Sequence, residues 1–197
     1  RLQMPSRYLL YLGGFDRRKN IVGLLQAYAR ARERLDGVPL VIAGKLPQHD
    51  SFFAPDPRAV ADQLGLGESI RYTGWVAEED KPALYAGAQA FVFPSTYEGF
   101  GLPVLEALSC GTPAIVGGGS SLEEVAGPGG IVVPPSDEDA LAQALVDLAC
   151  DEAARRELGE RGLRHARTFS WQRTAQETRA AYQQAIAIAR SRGGPEV

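Results

Sequence analysis

The stretch Pro94-Ser-Thr-Tyr-Glu-Gly-Phe-Gly-Leu-Pro-Val-Leu-Glu106 decides the fold, because it links an apolar strand to a helix through a glycine-bearing turn. Ala90 to Phe93, directly before it, is short and apolar, which predicts a buried strand. Pro103 suits the first turn of a helix, since its fixed φ matches that position and its missing N–H is not needed there. Gly99 and Gly101 leave room for a ligand to approach the backbone.

The same alternation of strand and helix runs along most of the chain. Strands are predicted at Tyr8–Leu12, Pro39–Ala43, Ile70–Tyr72, Ala90–Phe93, Ala114–Val116 and Ile131–Val133. Such alternation implies parallel strands with right-handed crossovers. We predict an α/β fold, a Rossmann-like doubly wound parallel six-stranded sheet with helices on both faces and extra C-terminal helices. Ligands bind beyond the carboxyl ends of the strands in such sheets, and the glycine-bearing turns fall there.

Length and composition are those of a globular protein with one α/β domain. The 197 residues are 45% hydrophobic and 23% charged, and the formal net charge is -3. This balance argues against nucleic-acid binding, and we find no apolar run long enough to span a bilayer. Cys110 and Cys150 are expected to be small buried residues in a reducing compartment. We predict a cytoplasmic protein, with peripheral contact at the inner membrane face as the alternative.

A basic turn, Gly13-Gly-Phe-Asp-Arg-Arg-Lys-Asn20, follows the first strand. It lacks the third glycine of a dinucleotide fingerprint and the Gly-Lys-Ser/Thr of a Walker loop. Arg18 and Lys19 could instead clamp a diphosphate leaving group with charge-assisted hydrogen bonds. Their charge would stabilise the negative charge that develops as the leaving group departs. The alternative is a solvated basic turn before a helix.

Two glutamates flank the predicted helix start, where free N–H groups favour anions. Glu106 could accept hydrogen bonds from both hydroxyls of a ribose, and Glu98 could hold hydroxyls of a transferred sugar. Each glutamate alone is better explained as an exposed acid near the positive end of a helix. Together in one turn they favour a ligand with both phosphates and hydroxyls, such as a nucleotide-sugar.

The segment Tyr72-Thr-Gly-Trp-Val76 closes the third strand and could receive a planar base on its backbone near Val76. Trp75 is either a core or edge aromatic or part of that base site. His49 and His165 lie in different regions and are expected at the surface. We find no hydrolase triad and no zinc spacing, so no metal site is predicted.

These segments together resemble the C-terminal, donor-binding half of a family 4 (group 1) retaining glycosyltransferase with the GT-B fold. Arg18-Lys-Asn20 resembles the phosphate-binding turn of that family, and Glu98 with Glu106 resembles its signature of two glutamates separated by seven residues. The segment from Glu106 to Ile115 resembles the one that follows the signature. The resemblance implies a retaining hexose transfer from a GDP- or UDP-linked sugar, without a cofactor and without a divalent metal.

The resemblance also assigns roles residue by residue. Glu98, Lys19 and Arg18 would be catalytic, with the two cations on the diphosphate and Glu98 on the sugar. Glu106 would hold the ribose. The remaining donor-binding positions would be Gly13, Gly14, Val76, Gly99, Phe100, Gly101 and Leu102. Many members have Arg where this chain has Gly14, so the clamp would rest on Arg18 with Lys19, and the turn favours a GDP-mannose type of donor.

The resemblance further implies a division of the chain. Residues 1–7 would be a remnant of an interdomain linker, residues 8–168 the donor-binding domain, residues 169–190 a crossing helix and residues 191–197 a disordered tail. An N-terminal domain that binds an unknown acceptor would be absent, leaving this chain weakly active or inactive alone. The alternatives are a GT-B nucleotide-sugar epimerase or phosphorylase, and a non-catalytic nucleotide-sugar-binding module.

Overall fold

The computed structural model describes residues 3–191 and contains a six-stranded parallel sheet. The strands are β1 (Leu9–Leu12), β2 (Leu40–Ala43), β3 (Ile70–Gly74), β4 (Ala90–Phe93), β5 (Ala114–Gly117) and β6 (Gly130–Val133). Their order is β3-β2-β1-β4-β5-β6, and every neighbouring pair is parallel. The predicted Rossmann-like α/β class is therefore confirmed.

Helices flank this sheet in two groups. They are α1 (Ile21–Ala31), α2 (Pro57–Gln63), α3 (Lys81–Ala86), α4 (Leu102–Ser109), α5 (Leu122–Ala126), α6 (Glu138–Cys150) and α7 (Glu152–Ala166). A further helix, α8 (Trp171–Ser191), follows them in the chain. Helix α1 packs against α2 and α6, whereas α4 packs against α3, α5 and α7.

The sheet order explains where a ligand site can form. Strands β1, β2, β4 and β5 are fully buried, as expected for strands that are covered on both faces. In the register, Leu9 of β1 lies between Leu40 of β2 and Ala90 of β4. The strand order reverses between β1 and β4, and a crevice opens at the carboxyl ends of such a pair. The turns after β1 and β4, which carry the predicted site residues, flank this crevice.

The chain divides into two compact units, one ending at Ala166 and the other beginning at Arg167. The first unit holds the sheet and helices α1 to α7. The second contains α8, in which Arg173 and Glu177 form an ion pair one turn apart. The predicted tail lies outside the described residues apart from Ser191, which ends α8, and so do the first two residues of the predicted linker.

The cysteine expectation is partly wrong. Both thiols are free, but Cys150 is exposed because it is the last residue of α6, and Cys110 is half-buried at the end of α4. Over residues 3–191, we find no helix that is both long and apolar enough to cross a membrane.

Candidate functional site

The basic turn after β1 is held in a single turn of 3-10 helix at Arg17–Lys19. Asn20 ends it in the left-handed conformation with φ 55°, which asparagine tolerates better than most residues. The Asn20 Nδ2 donates a hydrogen bond of 2.8 Å to the Pro135 carbonyl, after β6. This bond fixes the position of the turn against a segment more than a hundred residues away.

Lys19, Arg18 and Glu98, the three residues predicted to be catalytic, lie together. The Lys19 Nζ donates to Glu98 Oε1 at 2.6 Å, and the Arg18 Nη1 lies 3.8 Å from Glu98 Oε2. Only 15% of the Lys19 side chain and 11% of the Glu98 side chain are exposed, so water screens their attraction less than it would at the surface. The Thr96 N–H donates to the Arg18 carbonyl at 2.8 Å, which joins the two turns directly.

Arg18 has a second acidic partner that the sequence analysis missed. Its Nε donates to Asp16 Oδ1 at 2.9 Å. This hydrogen bond, with the charges of Asp16 and Glu98, raises the pKa of the Arg18 guanidinium. About half of the side chain is exposed, so the guanidinium can reach a ligand at the crevice while its stem stays in place.

The turn into α4 depends on a glycine. Gly101 has a φ of +116°, and a Cβ there would lie 2.5 Å from the Leu122 side chain. Ser121, also missed in the sequence, donates to the carbonyls of Glu98 at 2.8 Å and Phe100 at 3.0 Å. Gly99 faces open space, so its backbone is accessible. The hydrogen bonds from Ser121 therefore fix the backbone of the turn, while Gly99 leaves part of that backbone accessible to a ligand.

Glu106 has one of its carboxylate oxygens occupied. The Tyr85 hydroxyl, on α3, donates to Glu106 Oε2 at 2.8 Å. Burial, followed by the charge of Glu106, raises the pKa of Tyr85 well above its ordinary range. The tyrosine therefore keeps its proton and remains a donor to Glu106.

The remaining predicted donor-binding residues lie along the same edge of the sheet. Gly13 donates its N–H to the Ala43 carbonyl at 3.1 Å, and the Gly14 carbonyl accepts a hydrogen bond from the Tyr11 hydroxyl. Val76 is buried just after β3, two strands away from β1. Trp75 is 71% exposed, which excludes the reading of it as a core aromatic.

A cavity beside the basic turn overlaps little with the predicted site. It has a volume of about 880 Å³ and includes Arg17, Arg18 and Thr96, but neither Glu98 nor Glu106 lines it. Among the predicted donor-binding residues, Arg18 lines this cavity.

The two histidines differ in their exposure. His49 is exposed as expected, whereas His165 is half-buried with Nε2 2.9 Å from the Glu124 carbonyl oxygen. Within the described part of the chain, no group of three or more His, Cys, Asp or Glu side chains could hold a metal ion.

Comparison with protein families gives one clear match. The model of the family described as glycosyl transferases group 1 matches residues 1–165. Among curated relatives, the chain is 42% identical to the O-antigen chain mannosyltransferase B of Escherichia coli, covering 89% of this chain and 45% of that protein. It is 37% identical to an MMP alpha-(1->4)-mannosyltransferase of Mycolicibacterium hassiacum, over 86% of this chain and 41% of that protein. The chain thus spans less than half the length of these two relatives.

Solved structures share the fold. A sucrose-phosphate synthase from Thermosynechococcus elongatus superposes with a TM-score of 0.78 and 32% identity, over 94% of this chain and 47% of that one. Anabaena HepE in complex with UDP and glucose gives a TM-score of 0.78 at 19% identity, over 90% and 48% of the two chains. The C-terminal domain of a group 1 glycosyl transferase from Francisella tularensis superposes with a TM-score of 0.73 and 24% identity, over 84% of this chain and 87% of that one. The last two similarities concern the fold alone.

Proposed function

The chain belongs to the group 1 glycosyltransferases, and we propose that it is the donor-binding half of a retaining, metal-independent hexosyltransferase. The observation that carries the proposal is the cluster of Lys19, Arg18 and Glu98 at the crevice between β1 and β4. Two cations and a carboxylate in this position match a donor that has a diphosphate at one end and sugar hydroxyls at the other.

The diphosphate would take over the contacts that Glu98 now makes. Lys19 and Arg18 would donate charge-assisted hydrogen bonds to its oxygens, beside the N–H groups at the start of α4. These fixed positive groups stabilise the charge that grows on the diphosphate as the sugar leaves. Once Lys19 has turned to the phosphates, Glu98 can accept hydrogen bonds from the sugar.

The nucleoside would extend along the sheet edge towards α3 and β3. Glu106 would accept the ribose hydroxyls, because a carboxylate has lone pairs for two vicinal donors. The base would lie on the backbone near Val76, beside the exposed ring of Trp75. The mannosyltransferase relatives support a mannose-linked donor, whose nucleotide we propose to be GDP with UDP as the alternative.

The acceptor would be bound by an N-terminal half outside this chain, and α8 would cross towards that half. Exposed Tyr182 and Ile186, four residues apart on α8, would provide the apolar contact. In the cell the protein would be cytoplasmic, with the inner membrane face as a second location. We therefore expect the chain to bind a donor but to transfer its sugar poorly when it is alone.

Calorimetric titration of the chain with GDP, UDP and ADP, with and without magnesium, tests the proposal. One nucleotide should bind equally well in both conditions. Lys19→Ala should weaken binding by about 10- to 100-fold, the range for a hydrogen bond to a charged group, and Glu106→Ala should weaken it as well. Arg32→Ala, which removes a cation at the far end of α1, is the control. Failure of all three nucleotides to bind, or equal binding by Lys19→Ala, would refute the donor site.

The products formed by the full-length protein would distinguish a transferase from the three alternatives, which are an epimerase, a phosphorylase and a non-catalytic binding module. A GT-B epimerase would change the sugar of a nucleotide-sugar without an acceptor, and a phosphorylase would need inorganic phosphate. A non-catalytic module would bind the donor with no turnover even in the full-length protein. A binding module would need the same cations to hold a diphosphate, so turnover by the full-length protein, and not the pairing of Lys19 with Glu98, separates it from a transferase.

A further inference from the structure

We propose that Tyr85 is a positioning residue for Glu106, and that it makes the site selective for ribonucleotides over deoxyribonucleotides. Its hydroxyl holds Glu106 Oε2, which leaves Oε1 and the remaining lone pairs for the ribose hydroxyls. The inference rests on the proposed function, since it takes Glu106 as the ribose contact.

The position of the Tyr85 ring is fixed on several sides. Tyr85 is 1% exposed, and its ring packs edge-to-face against Phe91 with the centroids 5.3 Å apart. Its own carbonyl accepts a hydrogen bond of 2.7 Å from the Thr112 hydroxyl. A tyrosine held in this way cannot follow a moving carboxylate, so the carboxylate must adopt the orientation that the hydroxyl sets.

Aromatic contacts link Tyr85 to Lys19, at the other end of the proposed donor site. Phe91 stacks on Phe93 at 5.6 Å, because residues two apart on β4 lie on the same face of the sheet. The Lys19 ammonium lies 4.8 Å above the Phe93 ring. Phe91 and Phe93 therefore contact both Tyr85, which orients the proposed ribose contact, and Lys19, which would bind the diphosphate.

The hydrogen bond has a fixed direction. Burial keeps the proton on Tyr85, as its raised pKa shows, so Glu106 is always the acceptor. A single neutral donor satisfies one lone pair of a carboxylate and leaves its charge available to further donors. Glu106 is thereby oriented without being neutralised, whereas an arginine or lysine partner would compete with a ligand for its charge.

A purely structural role for Tyr85 would predict a different result from a positioning role. If the hydroxyl only satisfied a polar atom in the core, its removal would lower stability and would affect all nucleotides equally. If it orients Glu106, its removal would affect only those ligands whose ribose hydroxyls Glu106 contacts.

Tyr85→Phe, which keeps the ring, is the test, and Tyr8→Phe is its matched control. The Tyr8 hydroxyl is also buried and donates at 2.7 Å to the carbonyl of Leu84, the neighbour of Tyr85 on α3. Dissociation constants are measured by calorimetry for the best-bound of GDP, UDP and ADP and for its 2′,3′-dideoxy analogue, the deoxynucleotide of this test, which lacks both hydroxyls that Glu106 would contact. Unfolding temperatures are recorded for both variants.

We expect Tyr85→Phe to weaken ribonucleotide binding about 3- to 10-fold, because the ribose contact of Glu106 is weakened and not removed, and to change deoxynucleotide binding by less than about twofold on the same scale. Tyr8→Phe should keep the wild-type ratio of ribonucleotide to deoxynucleotide affinity. The Tyr85→Phe loss should also vanish in a Glu106→Ala background, because coupled residues are non-additive.

An unchanged ratio of ribonucleotide to deoxynucleotide affinity in Tyr85→Phe, whether both affinities are unchanged or both fall equally, would overturn the positioning role alone. If Glu106→Ala keeps the wild-type ratio, the assignment of Glu106 to the ribose is wrong, and the role of Tyr85 falls with it. No binding of any nucleotide to the wild-type chain would refute the proposed function and this inference together.

Discussion

The ion pair between Lys19 and Glu98 predicts that removing the carboxylate charge will strengthen the binding of a bare nucleoside diphosphate. Glu98 holds the Lys19 ammonium at 2.6 Å, at the position where the proposed diphosphate would bind. In Glu98→Gln the amide keeps the shape of the side chain but no longer repels the phosphates. Lys19 would then lose its charged partner and be available to the ligand.

The size of the effect follows from the geometry. A phosphate oxygen at ordinary hydrogen-bond distance from Nζ would lie about 5 Å from the Glu98 carboxylate. Two unit charges at that separation repel by about 1 kcal/mol in water and about 3 kcal/mol at the effective dielectric constant near a protein surface. Because both side chains are mostly buried, we expect bare diphosphate to bind at least about fivefold more tightly to Glu98→Gln, the lower end of that range.

A sugar-linked donor should gain less from Glu98→Gln, because the neutral amide is a weaker acceptor for the sugar hydroxyls than a carboxylate. The assay is calorimetry with the bare nucleoside diphosphate and its mannose- or glucose-linked form, at low and high salt. The gain should shrink at high salt, where the partly exposed charges are screened.

The control is Glu68→Gln, which removes the same charge directly before β3, at the amino end of that strand and not at the carboxyl ends where the proposed site lies. The reasoning would be refuted if Glu98→Gln bound bare diphosphate no more tightly than wild type or Glu68→Gln. It would also be refuted if the donor and the bare diphosphate gained equally, because Glu98 would then have no role towards the sugar.

Two further predictions concern stability. Asp56 caps α2 by accepting the Arg58 N–H at 2.9 Å, so Asp56→Ala should lower the free energy of unfolding in urea by about 0.5–2 kcal/mol, and Asp56→Asn by less. The Arg58 side chain lowers the pKa of Asp56. The stabilisation by Asp56 should therefore be complete above about pH 4 and be lost as the pH falls through the lowered pKa. If the free energy of unfolding of the wild type varied with acid pH in the same way as that of Asp56→Asn, this prediction would be contradicted. Gly44→Ala should lower the free energy of unfolding far more than Gly37→Ala. Both glycines have a positive φ, but only at Gly44 would the added Cβ meet the backbone, 2.2 Å from the Gly13 carbonyl oxygen. Equal unfolding midpoints for the two variants would contradict this prediction.

Much of the fold could be predicted because the four central strands, β1, β2, β4 and β5, are buried along their whole length. Strands such as β1 and β4 must be apolar throughout, so they stand out as short apolar runs between glycine- or proline-bearing turns. The carboxyl ends of parallel strands share one edge of the sheet. That rule alone was enough to bring Lys19 and Glu98 together from separate turns.

The partners of the site residues could not be predicted in the same way. Tyr85 lies in an apolar helical segment and is indistinguishable in sequence from a core aromatic. Its hydroxyl reaches Glu106 only because α3 packs against α4, a contact that no local pattern encodes. Likewise, the Ser121 hydroxyl reaches the Glu98 turn from a separate loop. The sequence left Trp75 open between a core or edge aromatic and part of a base site, and the structure shows that it is exposed.

The pairing of Glu98 with both cations also bears on how the proposed donor and its product would be distinguished. A diphosphate that takes Lys19 and Arg18 leaves Glu98 without its present partners, and a partly buried carboxylate without hydrogen bonds is unfavourable. A donor supplies sugar hydroxyls that satisfy Glu98, whereas the product diphosphate supplies none. The same residue would therefore favour the donor over the product and assist product release, and Glu98→Gln should reduce that preference.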